Sequence, residues 1–443
     1  KPMYGDKEVQ RVIDRADYQA NYAAYKSGGQ WGTTSTNVED VLTESLADGT
    51  TQMEIYNDKS YTDWIDLLLK NSITQNYEVS VSGGSEKTNF NISLAAMYDN
   101  GLMKDDKLAR YNGRANIDHT ISKIFKIGTS LNFTYRSNDA RNAGVYNQAL
   151  KMTTVTHPYL NDGSINATPN PWYAAHCSPL LDEVDGAYQN NIESTRFFGN
   201  AYLQITPLKN MFFKSLFSVD RKNTRTGLYQ DYQSQARYQS PATSYISNAQ
   251  DTKTGFTWQN TLNYNTDFNQ SKHDLTVLLG HEMSQSVAEG NSISGDAGKE
   301  HYYKSSFYDV SKIITPTTGT SYVKQSMLSL FGRVNYKYNE RYLLTASLRA
   351  DGSSVLADGH KWGYFPSVAA AWRINEEDFM HSASTWLNTL KLRASFGVSG
   401  NAAVDPYQTL ATLSSTVKGS TDMIPASISN KDLSWETTQS INF

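Results

Sequence analysis

From residue 76 to the end, hydrophobic and polar positions alternate with a period of two. Tyr77, Val79 and Val81 alternate with Glu78, Ser80 and Ser82, and Phe90, Ile92, Leu94, Ala96 and Tyr98 with Asn89, Asn91 and Ser93. Phe125, Ile127, Leu131, Phe133 and Tyr135 alternate with Lys126, Ser130, Asn132, Thr134 and Arg136. Successive strand side chains point to opposite faces, so each run reads as a strand with one apolar and one polar face. The same reading places strands near 113–118, 195–206, 211–221, 255–268, 274–286, 326–338, 342–351, 363–374 and 389–399, twelve in all, with a thirteenth starting at 435–443. Most are about 10–14 residues, against about 5–6 in soluble sheets, and a tilted membrane-spanning strand needs about 9–11.

The connections alternate in length. Those at 83–86, 122–123, 207–210, 269–273 and 338–341 are short. Those at 137–194, 222–254, 287–325 and 400–434 are long, 99–109 and 352–362 are milder, and 375–388 is expanded by a predicted helical turn within 376–380. Short turns on one rim and long loops on the other point to an all-β fold, an antiparallel up-and-down transmembrane β-barrel. Only closed pairing satisfies every backbone group in lipid. The expectation is an unbroken meander from 76 to 399, with Phe90, Ile92, Leu94, Ile127, Leu131 and Phe133 facing lipid and Asn89, Asn91, Asn132 and Thr134 lining a lumen. Tyr98, Tyr135, Tyr264 and Trp372 lie towards strand ends, where aromatic girdles sit. Residues 1–75 form an irregular, weakly helical lead-in, with apolar spacing at Val9, Val12, Ile13 and Ala16, at Val38, Val41, Leu42 and Leu46, and at Trp64, Ile65, Leu67 and Leu68.

Composition narrows the partners. The 443 residues carry 40 Lys and Arg against 44 Asp and Glu, a net charge of -4. That excludes nucleic-acid binding through bulk basic charge. No apolar run approaches the roughly 18 residues of a spanning helix. An aromatic content of 12%, with 29 Tyr, excludes a disordered chain. The lone Cys177 excludes a disulfide framework and a multi-cysteine metal site. The chain starts at Lys1 with no methionine or apolar signal region, which reads as a processed chain or a fragment.

No catalytic constellation, metal site or cofactor site emerges, so the chain does not read as an enzyme. His281-Glu282-Met283-Ser284-Gln285 lacks the second histidine of a zinc-protease helix. Gly298-Lys299 lacks the upstream glycine of a phosphate loop. Asp182, Glu183 and Asp185 lack the spaced oxygen ligands of a calcium loop and read as a solvated loop. The long loops do present aromatic rings beside polar groups: Tyr159 after His157-Pro158, Trp172 and Tyr173 after Pro171, and Tyr302-Tyr303. Such rings suit stacking on a sugar or contact with a partner protein.

Several segments together resemble the SusC/RagA-type TonB-dependent outer-membrane transporters, over roughly 55–443. They include Tyr61-Thr62-Asp63-Trp64, the run from Thr74 through Gly83-Gly84-Ser85-Glu86 to Asn89, and Phe331-Gly332-Arg333-Val334-Asn335-Tyr336. Trp362-Gly363-Tyr364-Phe365-Pro366-Ser367 with Ala371-Trp372 and Glu377-Asp378-Phe379-Met380 is the most specific block, followed by Leu392-Arg393-Ala394-Ser395-Phe396-Gly397 and Leu433-Ser434-Trp435-Glu436. The resemblance implies a barrel of about 22 strands with a plugged lumen, in the outer membrane of a Gram-negative, Bacteroidetes-like cell. It also implies a periplasmic segment contacting the TonB complex and a SusD-like surface lipoprotein as lid. The cargo would be an oligosaccharide or, less often, a peptide. On that view residues 76–443 supply about half the barrel, and the plug domain and remaining strands lie outside this chain. The alternative is a surface glycan-binding or adhesin β protein without transport, using the same loop aromatics.

Overall fold

The computed structural model describes residues 4–27, 36–170, 176–238, 243–299, 310–383, 385–415 and 423–443. Alternation builds the strands β1 (Thr74–Gly84), β2 (Thr88–Asn100), β3 (Lys107–Thr120), β4 (Phe125–Asp139), β5 (Tyr188–Leu208), β6 (Met211–Gln230), β7 (Ser244–Phe268) and β8 (His273–Ala297). They continue as β9 (Thr317–Tyr338), β10 (Tyr342–Ser353), β11 (Trp362–Arg373) and β12 (Lys391–Asn401). A small hairpin of β13 (Thr412–Ser415) and β14 (Met423–Ser427) precedes β15 (Glu436–Asn442). One sheet of 13 strands runs in the order β1 to β12 and then β15, every pair antiparallel and between nearest neighbours. The expected meander is present.

Register sorts the two faces. One row across seven strands reads Ile117, Thr129, Ala201, Phe217, Trp258, Met283 and Leu328. Another reads Val277, Val334, Ala346, Val368, Phe396 and Ile441. Large apolar side chains on this face, such as Leu94, Leu131, Phe133 and Leu279, are left open by the protein. Phe90, Ile92 and Ile127 share it, and Asn89, Asn91, Asn132 and Thr134 lie on the other. Two aromatic chains border the apolar face. Tyr77, Tyr98, Tyr111 and Tyr135 contact in sequence at 6.5, 5.8 and 6.3 Å between ring centres, on the long-loop side. Phe268, His273, Tyr338, Tyr342 and Trp372 follow at 4.6, 5.0, 6.2 and 6.4 Å beside the short turns. Phe125 and Tyr135 on β4 are about ten residues apart, roughly 33 Å of strand, which a tilt of about 40° shortens to the ~25 Å of an outer-membrane apolar band. The short rim closes tightly, with Asn339 and Glu340 at φ 50 and 55, the twisted geometry that hairpins favour.

The structure corrects the strand lengths. β7 and β8 have 25 residues each, and β5, β6 and β9 have 21, 20 and 22. At about 3.3 Å per residue, 25 residues span roughly 80 Å, far more than a bilayer. Segments expected as loops, such as 222–230, 244–254 and 287–297, continue the ladder on the long-loop side. Runs such as Arg221-Lys222-Asn223-Thr224-Arg225-Thr226 are polar on both faces. Their alternation vanishes while their backbone pairing persists.

The segment before β1 also folds. It forms α1 (Asp6–Lys26), α2 (Val38–Val41), α3 (Gln52–Asp58) and α4 (Trp64–Leu68), and the connection after β4 forms α5 (Ala143–Ala149). Val9, Leu42, Leu46 and Ile55 bury against Val155. Trp64 and Leu68 bury against Val145, Ala149, Met152 and Leu180. The Trp64 indole N–H donates to the Thr153 carbonyl at 2.9 Å, and the Thr62 and Thr154 backbones bond at 2.9 Å. This platform stands on the long-loop rim, because β1 starts there opposite Asp99 and β4 ends there at Asp139.

Candidate lumen site

The polar face is built from short side chains that bond to one another. The row Asn91, Asn116, Ser130, Asn200, Ser218, Thr257 and Ser284 crosses seven strands. Ser130 donates to the Asn116 side-chain amide oxygen at 2.6 Å, and Thr134 to that of Asn112 at 2.9 Å. Towards the short rim, Tyr202 donates to Asp118 at 2.6 Å. Gly128 makes room for this pair, since a Cβ there would lie 2.3 Å from both partners. On the later strands Arg349 holds Asp351 at 2.7 Å and the Ser329 hydroxyl at 2.8 Å, while Gln259 donates to Glu282 at 3.0 Å.

Nearer the long-loop rim the face becomes cationic. Arg110 and Arg136 are directly opposed across β3 and β4, and Arg114 lies on the same face. Arg196, Lys222 and Lys253 are directly opposed across β5, β6 and β7. Arg196 grips Asp220 through two nitrogens, at 2.8 and 2.6 Å. A cavity of about 680 Å³ opens here, lined by Arg196, Phe198, Lys222, Lys253 and Ser286, with Val355 and Ala402 of the long-side connections at its edge. A neighbouring cavity of about 420 Å³ shares Arg196 and Phe198 and adds Arg114. Alternation does not reveal this site, because the sequence around Lys222 and Lys253 is polar on both faces and assigns them no side.

Of the loop aromatics, Trp172, Tyr173, Tyr302 and Tyr303 lie outside the described residues. Tyr159 is exposed, in a small hairpin paired to Ile165. His157 of that hairpin contacts the Asp48 carboxylate at 2.6 Å, and Asn161 donates to the Asp48 carbonyl at 2.6 Å. Burial by itself would raise the Asp48 carboxyl, yet hydrogen bonds from Thr50 and His157 outweigh it and hold the group below its ordinary value.

Asp182 is not solvated, contrary to the sequence reading. It is 1% exposed and accepts from the Gln235 backbone at 2.7 Å and the Asn142 amide at 3.1 Å. Arg141 donates to the Asp182 carbonyl and to Glu183, both at 2.6 Å. Burial raises the Asp182 carboxyl, because the charged form loses water faster than these donors replace it. The cluster ties the start of the β4–β5 connection to the turn after β6. Cys177 is buried beside it, with its thiol pushed up by burial, away from the thiolate a nucleophile needs. Among the described residues no group of acidic, histidine or cysteine side chains is arranged to hold a metal.

A family model described as "TonB dependent receptor-like, beta-barrel" matches residues 153–443. TonB-dependent receptor P26 of Formosa agariphila is 32% identical over 394 residues, covering 86% of this chain and 38% of the relative. TonB-dependent receptor SusC of Bacteroides thetaiotaomicron is 25% identical over 366 residues, covering 76% of this chain and 35% of the relative. Among solved structures, a chain of the RagAB peptide transporter superposes with a TM-score of 0.78 at 22% identity, covering 99% of this chain and 49% of its own length. The chain thus spans well under half the length of these curated relatives.

Proposed function

The chain belongs to the TonB-dependent receptor-like β-barrel family of the outer membrane, and on that premise we propose that it forms part of the wall of an importer carrying an oligosaccharide inwards. The observation that carries this reading is the contrast between the two faces of one sheet. The apolar face, bordered by two aromatic chains, suits lipid, and the opposite face offers amides and hydroxyls such as Asn116, Ser130, Asn200 and Thr257 to a polar cargo. Such groups match sugar hydroxyls and hold no reacting centre, so the wall guides cargo and does no covalent chemistry. The edges of β1 and β15 pair with further strands, because lipid tolerates no open edge. Cargo enters between the long loops and a SusD-like lipoprotein lid, and the TonB complex drives its release inwards. Tyr159, Trp172, Tyr173, Tyr302 and Tyr303 contact cargo or lid from those loops.

A peptide cargo is the second reading, favoured by the 0.78 superposition on a peptide transporter. Uptake of labelled oligosaccharides and peptides, with and without the TonB complex, separates the readings. Energised uptake of oligosaccharide supports the first, and uptake of peptide alone replaces it. Binding without TonB-dependent uptake makes the protein a surface glycan-binding adhesin. Trp172→Ala with Tyr173→Ala is expected to weaken cargo or lid binding by about 1 kcal/mol or more; wild-type affinity for both would leave these rings as loop packing.

A further inference from the structure

Six cations lie on the polar face of β3 to β7 towards the long-loop rim, Arg110, Arg114, Arg136, Arg196, Lys222 and Lys253, while Lys126 and Lys214 share that face nearer the short turns. Three direct cross-strand pairs are like-charged, namely Arg110 with Arg136, Arg196 with Lys222, and Lys222 with Lys253. Directly opposed like charges destabilise a sheet. Of the six, only Arg196 has an ion pair among the described residues, with Asp220. Asp251 lies on the same face two residues from Lys253, yet no ion pair joins them within 4 Å. Four of the six, Arg114, Arg196, Lys222 and Lys253, line two adjoining cavities of about 680 and 420 Å³.

We propose that this row binds the carboxylate or sulfate groups of an acidic polysaccharide fragment as it enters the lumen. The inference rests on the import reading above and names its substrate class. Three features point to such a cargo. Within one register row Arg196, Lys222 and Lys253 recur on three successive strands, about 4.8 Å apart, a spacing that fits a polymer with periodic negative charge. The space between them is lined by hydroxyls and amides, including Ser218, Thr257, Ser286 and Asn132. The larger cavity also carries Phe198, Phe256 and Met327, which suit the apolar face of a sugar ring as well as a side chain, so the charges and not the apolar lining select the cargo. Finally, Val355 and Ala402 from the long-side connections edge the larger cavity, which places it towards the side from which cargo arrives. An oxyanion lying between opposed ammonium groups turns their repulsion into attraction, and charge-assisted hydrogen bonds are the strong ones.

The test uses the full-length protein and three tetrameric probes: tetragalacturonate, maltotetraose and tetra-aspartate. Calorimetric affinity is measured at low and high salt for wild type, for Lys222→Gln with Lys253→Gln, and for a control Lys123→Gln on a short turn. The expected result is salt-sensitive binding of tetragalacturonate that the double variant weakens about tenfold or more. The control should match wild type, and maltotetraose should respond to neither change. Equal wild-type affinity for the acidic and neutral sugars overturns the proposal, as does a double variant that binds tetragalacturonate normally. Loss of barrel assembly with the same fall for every probe would show that the lysines pair with another part of the protein, and also overturns it. Binding of tetra-aspartate without tetragalacturonate assigns the row to acidic peptides instead. Selective binding of tetragalacturonate with no TonB-dependent uptake would count against import while leaving the charge assignment standing.

Discussion

The strands β5 to β9 have two halves that differ in sequence and agree in backbone. Towards the short turns, one face is largely apolar and the other largely polar, as in Leu203, Gln204 and Ile205. Towards the long loops, stretches such as 221–226 are polar throughout. Yet the β6–β7 register runs unbroken from Met211 opposite Tyr264 to Gln230 opposite Tyr245. Alternation therefore reports what each face touches, lipid on one side and water on the other. Where both faces meet water, neighbouring strands and their hydrogen bonds keep the ladder, and side-chain pattern carries no trace of it. At the rim, Asn142 and Asp182 of the β4–β5 connection bond to Gln235 in the turn after β6.

The contrast is broken most strongly by a change in the platform. Trp64 is 2% exposed and is tied to the Thr153 carbonyl. Trp64→Ala is expected to cost the platform about 3–5 kcal/mol while the sheet below remains assembled. Hydrogen exchange checks this: amides of α5 and residues 152–156 should lose protection and those of β3 and β4 should keep it. Loss of protection in both regions at once would mean that the platform and the membrane sheet are a single cooperative unit.

A smaller effect separates the two faces. Leu131→Arg places a charge on the open apolar face, between Phe125 and Tyr135, and should cost about 2–4 kcal/mol in a bilayer. Asn132→Arg puts the same charge on the polar face and should cost much less. Folding titrations into lipid vesicles measure both, and equal losses would undo the face assignment.

How much of this was legible follows from the same physics. The meander, the face of Leu131 and the helix Asp6–Lys26 were readable, because each sets an apolar side against a polar one over several turns or pleats. α3 carried a signal that went unread: Thr51 and Glu54 cap its start reciprocally. α5 carried almost none, since Gly144 and Asn147 are poor helix formers and its stability comes from Val145 and Ala149 packing against Trp64. The burial of Asp182 was invisible for a related reason. Its partners, Asn142 and the Gln235 backbone, are distant in sequence, and nothing local distinguishes a buried carboxylate from a solvated one. The cationic row shared that fate, since facing Lys222 to Lys253 needs the register of strands that the pattern had left as loop.

The smallest effect lies within the platform, where two buried carboxylates respond to acid with opposite sign. Asp48 has a folded value below the ordinary 3.8, set against burial by the Thr50 and His157 hydrogen bonds. Its contribution is complete above 3.8 and is lost as pH falls through the folded value. Asp182 has a folded value above 3.8 because burial penalises its charge. The folded state therefore binds that proton more readily than the unfolded chain, and stability falls as pH rises from 3.8 through the folded value. Acidification should then loosen the hairpin around Tyr159, which leans on Asp48 through His157 and Asn161. At Asp182 it relieves a buried charge and should not destabilise the surrounding segment. Hydrogen exchange reads the two sites separately: Leu160 and Asn166 report the hairpin, whose amides bond to Ser164 and Pro158, and Gln235 reports the second carboxylate. Asp48→Asn should abolish the acid response of the first pair and leave Gln235 unchanged. A parallel loss of protection at all three amides on acidification would mean that the platform opens as a whole, and the two carboxylates would no longer mark independent supports within it.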